Sequence, residues 1–233
     1  MTLIGEAIME HFATGIPVLV HQRIGAQPWE EPMSTAHFFR EPTEMSDIER
    51  AALAKCRGHV LDLGAGAGAH ALALQSKGLH VVAVDWDAHS CQVMRLRGVQ
   101  QVSHADFWEI DLGPFDTILM LMNGIGMCAR VEGLERWFQK CASELRPGAC
   151  VVADSSQLDM EHDESGIDLQ DAYLGEVTFH LQAKIAGRDQ TESLPWIFPD
   201  IALLEALAEE SQLKFSIETN REDGSFLFTL TKP

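Results

Sequence analysis

Residues 59–70 read HVLDLGAGAGAH, and the fold turns on them. A short apolar run, Val60-Leu61-Asp62-Leu63, breaks into glycines at alternate positions, Gly64, Gly66 and Gly68, and then into a helix-forming run, AHALALQSKG. A buried strand, a glycine turn and a helix in that order make a binding corner. Glycine lets backbone approach a ligand closely, and free N–H groups at the helix start can meet a polar or anionic group. The next apolar run, VVAVD, ends on Asp85. An acid at that strand end can accept hydrogen bonds from the two hydroxyls of a ribose.

Outward from the corner, apolar runs alternate with helical stripes. Upstream, Ser46 and Glu49 have the spacing of a capping box, and ERAALAKC with Gly58 completes a helix leading into the first strand. Downstream, residues 80–85 form a second strand, 87–97 a helix stopped by Gly98, and 99–102 a short third strand. Residues 115–122 form a fourth strand, apolar on both faces as a central parallel strand is. Apolar residues at 131, 134, 137, 138, 141 and 145 make a helical stripe, and 149–153 form a fifth strand. This alternation predicts an α/β, Rossmann-like doubly wound, mostly parallel sheet with helices on both faces and right-handed crossovers. The tail differs. Strands at 176–185 and 192–198 flank Gly187-Arg188-Asp189, Asp200 caps a helix, and strands at 214–219 and 225–231 close the chain as an antiparallel hairpin.

The segments on either side of this core resist reading. Residues 3–13 make a short helix with Ile4, Ile8 and Phe12 on one stripe. Residues 17–45 hold Pro28, Pro32 and Pro42 among Trp29, His37, Phe38 and Phe39, and read as a loop that packs as a lid over the corner. The division expected is therefore 1–45, helix and lid, and 46–233, the binding domain, with a substrate-side insertion at about 155–198.

Composition sets limits. The net charge of −18 repels phosphate backbones and anionic lipid surfaces, which argues against nucleic acid and membrane partners. No apolar run approaches the roughly 20 residues that span a bilayer. The N-terminus lacks the basic and apolar regions of a secretory signal. Five cysteines, an odd number without CxxC spacing, read as buried thiols in a reducing cytoplasm.

In this order the motifs resemble those of the class I S-adenosylmethionine-dependent methyltransferases. LDLGAGAG resembles the family's first motif, VVAVD the second, HADFWE the third, FDTILMLMNGIG the fourth, and LRPGACVVADSS the turn and strand that follow. The closing hairpin resembles the family's usual ending. HFFREP, GAGAGAH, LMNGIGM and YLGEVTF with PWIFPD are similar to a bacterial branch of these enzymes. The resemblance implies S-adenosyl-L-methionine as cofactor and methyl transfer to a small-molecule acceptor. It implies cofactor contacts from Asp62, Gly64, Ala65, Gly66 and Gly68, from Asp85 on the ribose with Trp86 beside it, from Asp106 and Phe107 at the adenine, and from Asn123 and Gly124 under the methyl sulfonium. No Asn-Pro-Pro-Tyr follows the fourth strand, which points away from nucleobase and protein-amide acceptors.

Other readings stand beside these. Gly64, Gly66 and Ala69 also fit the dinucleotide fingerprint of an NAD-dependent oxidoreductase. A non-catalytic protein that binds the cofactor, or an interaction protein, would keep the same motifs. Asp62 serves either as a structural acid on nearby backbone N–H groups or as a partner of the cofactor's amino group. Arg40 serves either as an anion binder or as the partner of Glu41 or Glu44. Glu161-His162-Asp163-Glu164 lacks metal-site spacing, so no metal is expected. No catalytic residue is evident; a base, if one is used, comes from His37, Asp154, Tyr173 or His180.

Overall fold

The computed structural model describes residues 2–25, 28–29, 32–158 and 173–233. The acidic cluster at 161–164 lies outside them. The chain opens with α1 (Leu3–Thr14), β1 (Leu19–Ile24) and β2 (Met33–Ser34), then α2 (Asp47–Lys55). The core follows as β3 (His59–Leu63), α3 (Ala69–Ser76), β4 (His80–Asp85), α4 (Ala88–Arg97), β5 (Gln101–His104), β6 (Thr117–Met120), α5 (Val131–Glu144) and β7 (Cys150–Ser156). The chain closes with β8 (Glu176–Ile185), β9 (Arg188–Ile197), α6 (Ile201–Glu210), β10 (Lys214–Asn220) and β11 (Ser225–Thr231).

Seven strands form one sheet in the order β10-β11-β7-β6-β3-β4-β5. The pairs among β3 to β7 are parallel, and β11 runs antiparallel to both β7 and β10. The chain enters at β3, winds out to β5, returns to β6 and winds the other way. The carboxyl ends of β3 and β6 therefore meet at the switch point of a doubly wound sheet, where such folds bind ligands. Every residue of β6 is buried, as a strand with helices on both faces requires. On one face α5 buries Leu134, Trp137, Phe138 and Cys141. On the other, α2 buries Ile48, Ala52 and Leu53 beside Leu74 of α3. All five cysteines are free thiols, four of them buried.

Several boundaries move from their expected places: the fourth strand, expected over 115–122, is Thr117–Met120, and the fifth, expected over 149–153, is Cys150–Ser156. Val99 closes α4 instead of opening the third core strand. Gly98 is left-handed, with φ 96°, and the Val99 N–H bonds back to the Met94 carbonyl at 3.0 Å. That is a helix-ending motif with a buried apolar residue after its glycine. The strand expected from 192 begins at Arg188, because the hairpin turns on Ala186 and Gly187, with φ 49° and 78°.

Residues 17–45 are not simply a loop. β1 pairs antiparallel with β8, from Val20 opposite Ala183 to Ile24 opposite Phe179, in a second sheet of order β2-β1-β8-β9. Its inner face, with Val20, Leu181, Ala183 and Ile185, packs on Leu3 and Ala7 of α1. Two carboxylates meet the positive start of α1: Thr2 N donates to Asp87 Oδ2 and Leu3 N to Glu192 Oε2, both at 2.7 Å. Of the stripe read on α1, Ile8 is buried, while Phe12 is 38% exposed.

Phe138 is fully buried against the sheet. Phe138→Ala is expected to cost about 3–5 kcal/mol of stability, read as a lower urea midpoint with an unchanged slope.

Candidate functional site

The corner after β3 is a chain of left-handed glycines, with φ 70° at Gly64, 55° at Gly66 and 82° at Gly68. Only glycine takes this conformation at no steric cost. The turn is pinned to β4, since Gly64 N and Ala65 N both donate to the Val84 carbonyl, at 2.9 and 3.0 Å. Gly66 N donates to Asp85 Oδ2, and Asp87 N to Asp85 Oδ1, both at 2.9 Å. Asp85 thus caps its own strand end, and each oxygen keeps a second lone pair for a ligand. Burial pushes its carboxyl up to about 6, against the pull of the two N–H groups.

Asp62, at the heart of β3, is 1% exposed. Its Oδ2 has no partner among the described residues, and the Ala71 backbone lies close enough to favour its charge slightly. Burial pushes it up to about 6. A buried carboxylate oxygen without a partner in the protein calls for a donor.

Beside Asp62 stands a network that the sequence does not announce. Glu49 Oε1 accepts from Arg40 Nη2 at 2.6 Å and from His70 Nε2 at 2.9 Å, and Glu49 Oε2 accepts from Ser46 N at 2.8 Å. Burial opposes its charge, but bonds from His70 and Ser46 win and hold it down to about 2. Arg40 therefore pairs with Glu49, not with Glu41 or Glu44, because α2 turns the capping-box glutamate inward. Arg40 Nε also holds the His37 carbonyl at 2.9 Å. Phe38 then lies over the corner, where a Cβ on Gly66 would stand 3.0 Å from its ring. Ile8 comes within 4.0 Å of the same point.

Across the switch point, the tip of β6 turns through Met122 and Asn123, with φ 62° and 56°. Asn123 N donates to Asp154 Oδ1 at 3.0 Å, and Ser156 Oγ to Asn123 Oδ1 at 3.1 Å. Trp196 of β9 fills the space where Gly126 would carry a side chain. Burial pushes Asp154 up to about 7.

The remaining expected residues gather at the ends of β4 and β5. Trp86 is 65% exposed, and its carbonyl bonds His104 Nε2 at 2.9 Å. Asp106 is exposed and accepts from Trp108 N at 3.0 Å. Phe107 packs at a tilt on Trp108 and edge-on against Trp137, with ring centroids at 4.5 and 5.7 Å. Of the four possible bases only Asp154 stands at a core strand tip. His37 is exposed, and His180 bonds Ser193 on the face of its sheet opposite Leu181. Tyr173 is committed to the backbone of Asp200 and Phe198, and burial pushes its phenol up to about 12. Sequence reading passes over Glu49, His70 and Phe38 as site residues; the signal for Glu49 was present, but as a helix cap. A separate cavity of about 500 Å³ lies at the far end of the second sheet, lined by Glu10, Thr14, Ile16, His21, Lys184 and Asp189 among others. Among the described residues no group of three or more His, Cys, Asp or Glu is placed to hold a metal, and no helix is long and apolar enough to cross a membrane.

Comparison with known proteins bears on this geometry. The family model for a methyltransferase domain matches residues 60–148. A SAM-dependent methyltransferase from Bacteroides fragilis, solved in complex with S-adenosyl-L-homocysteine, is 32% identical with a TM-score of 0.85, covering 98% of this chain and 94% of that one. The chain belongs to the S-adenosylmethionine-dependent methyltransferases. Two more distant structures share the methyltransferase fold. A SAM-dependent methyltransferase from Clostridium acetobutylicum is 12% identical with a TM-score of 0.60 over 82% of this chain and 93% of its own. The CcbJ methyltransferase from Streptomyces caelestis is 14% identical with a TM-score of 0.62 over 83% and 99%. No curated protein matches the chain. The dinucleotide reading of the glycines thus gives way to the methyltransferase one.

The buried acids set a pH dependence. Asp62, Asp85 and Asp154 are raised from an ordinary value of 3.8. The folded methyltransferase therefore holds more protons than the unfolded chain between about pH 4 and 7, and their contribution to stability is lost as pH rises through that window. Glu49 acts oppositely: its contribution is present above its ordinary 4.5 and is lost only as pH falls toward 2. The ligand-free protein is expected to melt at a lower temperature at about pH 8 than at about pH 5.5, with Asp62→Asn narrowing the gap. Equal melting temperatures for the wild type would contradict the assignment.

Proposed function

We propose that this methyltransferase binds S-adenosylmethionine across the tips of β3, β4, β5 and β6 and transfers its methyl group to a small-molecule acceptor. The observation that carries the reading is the buried, unpartnered Oδ2 of Asp62 beside the left-handed glycine turn. A carboxylate there suits the cofactor's ammonium group, and Gly64, Ala65, Gly66 and Gly68 leave room for its amino-acid end. Asp85 takes the ribose hydroxyls on its free lone pairs. Trp86, Asp106 and Phe107 line the adenine end, and Asn123 with Gly124 lies under the sulfonium.

When bound, the cofactor supplies an electrophilic methyl group on a sulfonium. The chain's part is to place it. The turn from Met122 to Gly124 fixes one side of the reacting centre, and holding acceptor and methyl in line removes most of the entropic barrier. Residues 1–45 serve as cover: Phe38 and Ile8 lie on the glycine turn, and Trp196 from the 155–198 segment closes on Gly126. Such a cover excludes water and favours an acceptor small enough to fit beneath it. The net charge of −18 is in keeping with that, since it disfavours nucleic acid. A general base is required only for an acceptor that must lose a proton before attack.

Removing the ribose acceptor is the direct test. Asp85→Ala is expected to weaken S-adenosylmethionine binding about 10- to 100-fold by calorimetry, the loss of a charged hydrogen-bond acceptor worth about 1.5–3 kcal/mol. Unchanged affinity in a folded variant would remove Asp85 from the site.

A further inference from the structure

The tip of β6 runs against the preference of its own backbone. Met122 and Asn123 are consecutive non-glycine residues at positive φ, 62° and 56°. A left-handed conformation is unfavourable for a side chain such as that of Met122, and two such residues in a row persist only where the surroundings impose it. Two side chains of β7 impose it here. Asp154 Oδ1 accepts from Asn123 N at 3.0 Å, and Ser156 Oγ donates to Asn123 Oδ1 at 3.1 Å. They are two residues apart on a strand and so share one face. The register explains their place. β6 and β7 pair as far as Met120 opposite Ala153. Beyond that point the chain of β6 turns off the ladder, and the Asp154 carboxylate takes the N–H that a strand partner would have taken.

We propose that Asp154, assisted by Ser156, is a positioning residue that holds the strained Met122–Asn123 turn beneath the transferring methyl group. This rests on the reading that Asn123 and Gly124 lie under the sulfonium. Asp154 acts through the backbone of Asn123 and takes no part in bond making. The groups that face it fit a fixed acceptor: the Asn123 N–H from the tip of β6, His70 from α3, and Glu49 from α2. Glu49 is already paired with Arg40 and bonded by His70. A raised carboxyl keeps its capacity here, since either protonation state offers an oxygen to the Asn123 N–H.

The test is calorimetric titration of the full chain with S-adenosylmethionine and with S-adenosylhomocysteine, which lacks the methyl group and the positive charge. Asp154→Ala is expected to weaken S-adenosylmethionine about tenfold and S-adenosylhomocysteine about threefold or less, whereas general loosening of the fold lowers both alike. Asp154→Asn keeps an acceptor oxygen and should bind both within about twofold of wild type. Adding Met122→Gly to Asp154→Ala should restore most of the loss, because glycine takes this φ unstrained. The proposal is overturned if Asp154→Ala changes neither affinity, if it lowers both equally, or if Met122→Gly restores nothing. Should Asp154→Ala fail to fold, Ser156→Ala carries the test: a selective loss for S-adenosylmethionine supports the clamp, and equal effects refute it. A wild-type chain that binds neither ligand overturns the cofactor reading and the clamp together. Wild-type binding with unaltered variants overturns the clamp alone.

Discussion

The carboxylate of Asp85 accepts one N–H from the glycine turn and one from the start of α4, and the binding corner hangs on those two bonds. They restrain a run of left-handed glycines, a residue that on its own samples many conformations. With them, the turn is tied side chain to backbone at Gly66 and backbone to backbone at Gly64 and Ala65. The tie has a cost. Asp85 must be buried to reach both N–H groups, and burial alone disfavours its charge. A ligand hydroxyl that donates to the same carboxylate would relieve part of that cost.

The cover is held by a second buried carboxylate. A chain carrying 35 acids and 17 lysines and arginines has few cations to spend, and Arg40 and His70 both converge on one oxygen of Glu49. The pairing links three successive elements: the turn that carries Phe38, the start of α2, and the start of α3. Breaking one partner of so buried a pair leaves an uncompensated charge, which is costly. At the opposite edge of the cover, α1 is held by Asp87 and Glu192 at its N-terminus, one acid from the core and one from the second sheet. The cover therefore joins the two sheets.

Legibility follows locality. The corner was readable because its residues are contiguous and each must be what it is: glycine at positive φ, an acid at the end of β4, a helix former after Gly68. The capping box at Ser46 and Glu49 was readable for the same reason. β1 was not. LVHQRI has no clean alternation of apolar and polar residues, and its strand partner is β8, far along the chain. Glu49 was legible as a cap and illegible as a hub, since its second oxygen acts on residues that only folding brings near. Arg40 had two acids close in sequence, and the fold gave it a third. At the tip of β6, Asn123-Gly124 was readable as a turn, but nothing local announces that Met122 is left-handed too, or that Asp154 holds the turn.

What this chain's sequence determines by itself is the winding of the sheet, the glycine corner and the acid beside it. These rest on short-range physics: hydrophobic periodicity, backbone sterics and the reach of a strand-end side chain. The tertiary structure alone decided which carboxylates are buried, which partners meet them, and that Phe38 and Ile8 of the N-terminal segment lie against the corner. Those outcomes depend on contacts between different elements, where desolvation and pairing set the energies and no local pattern records the partner.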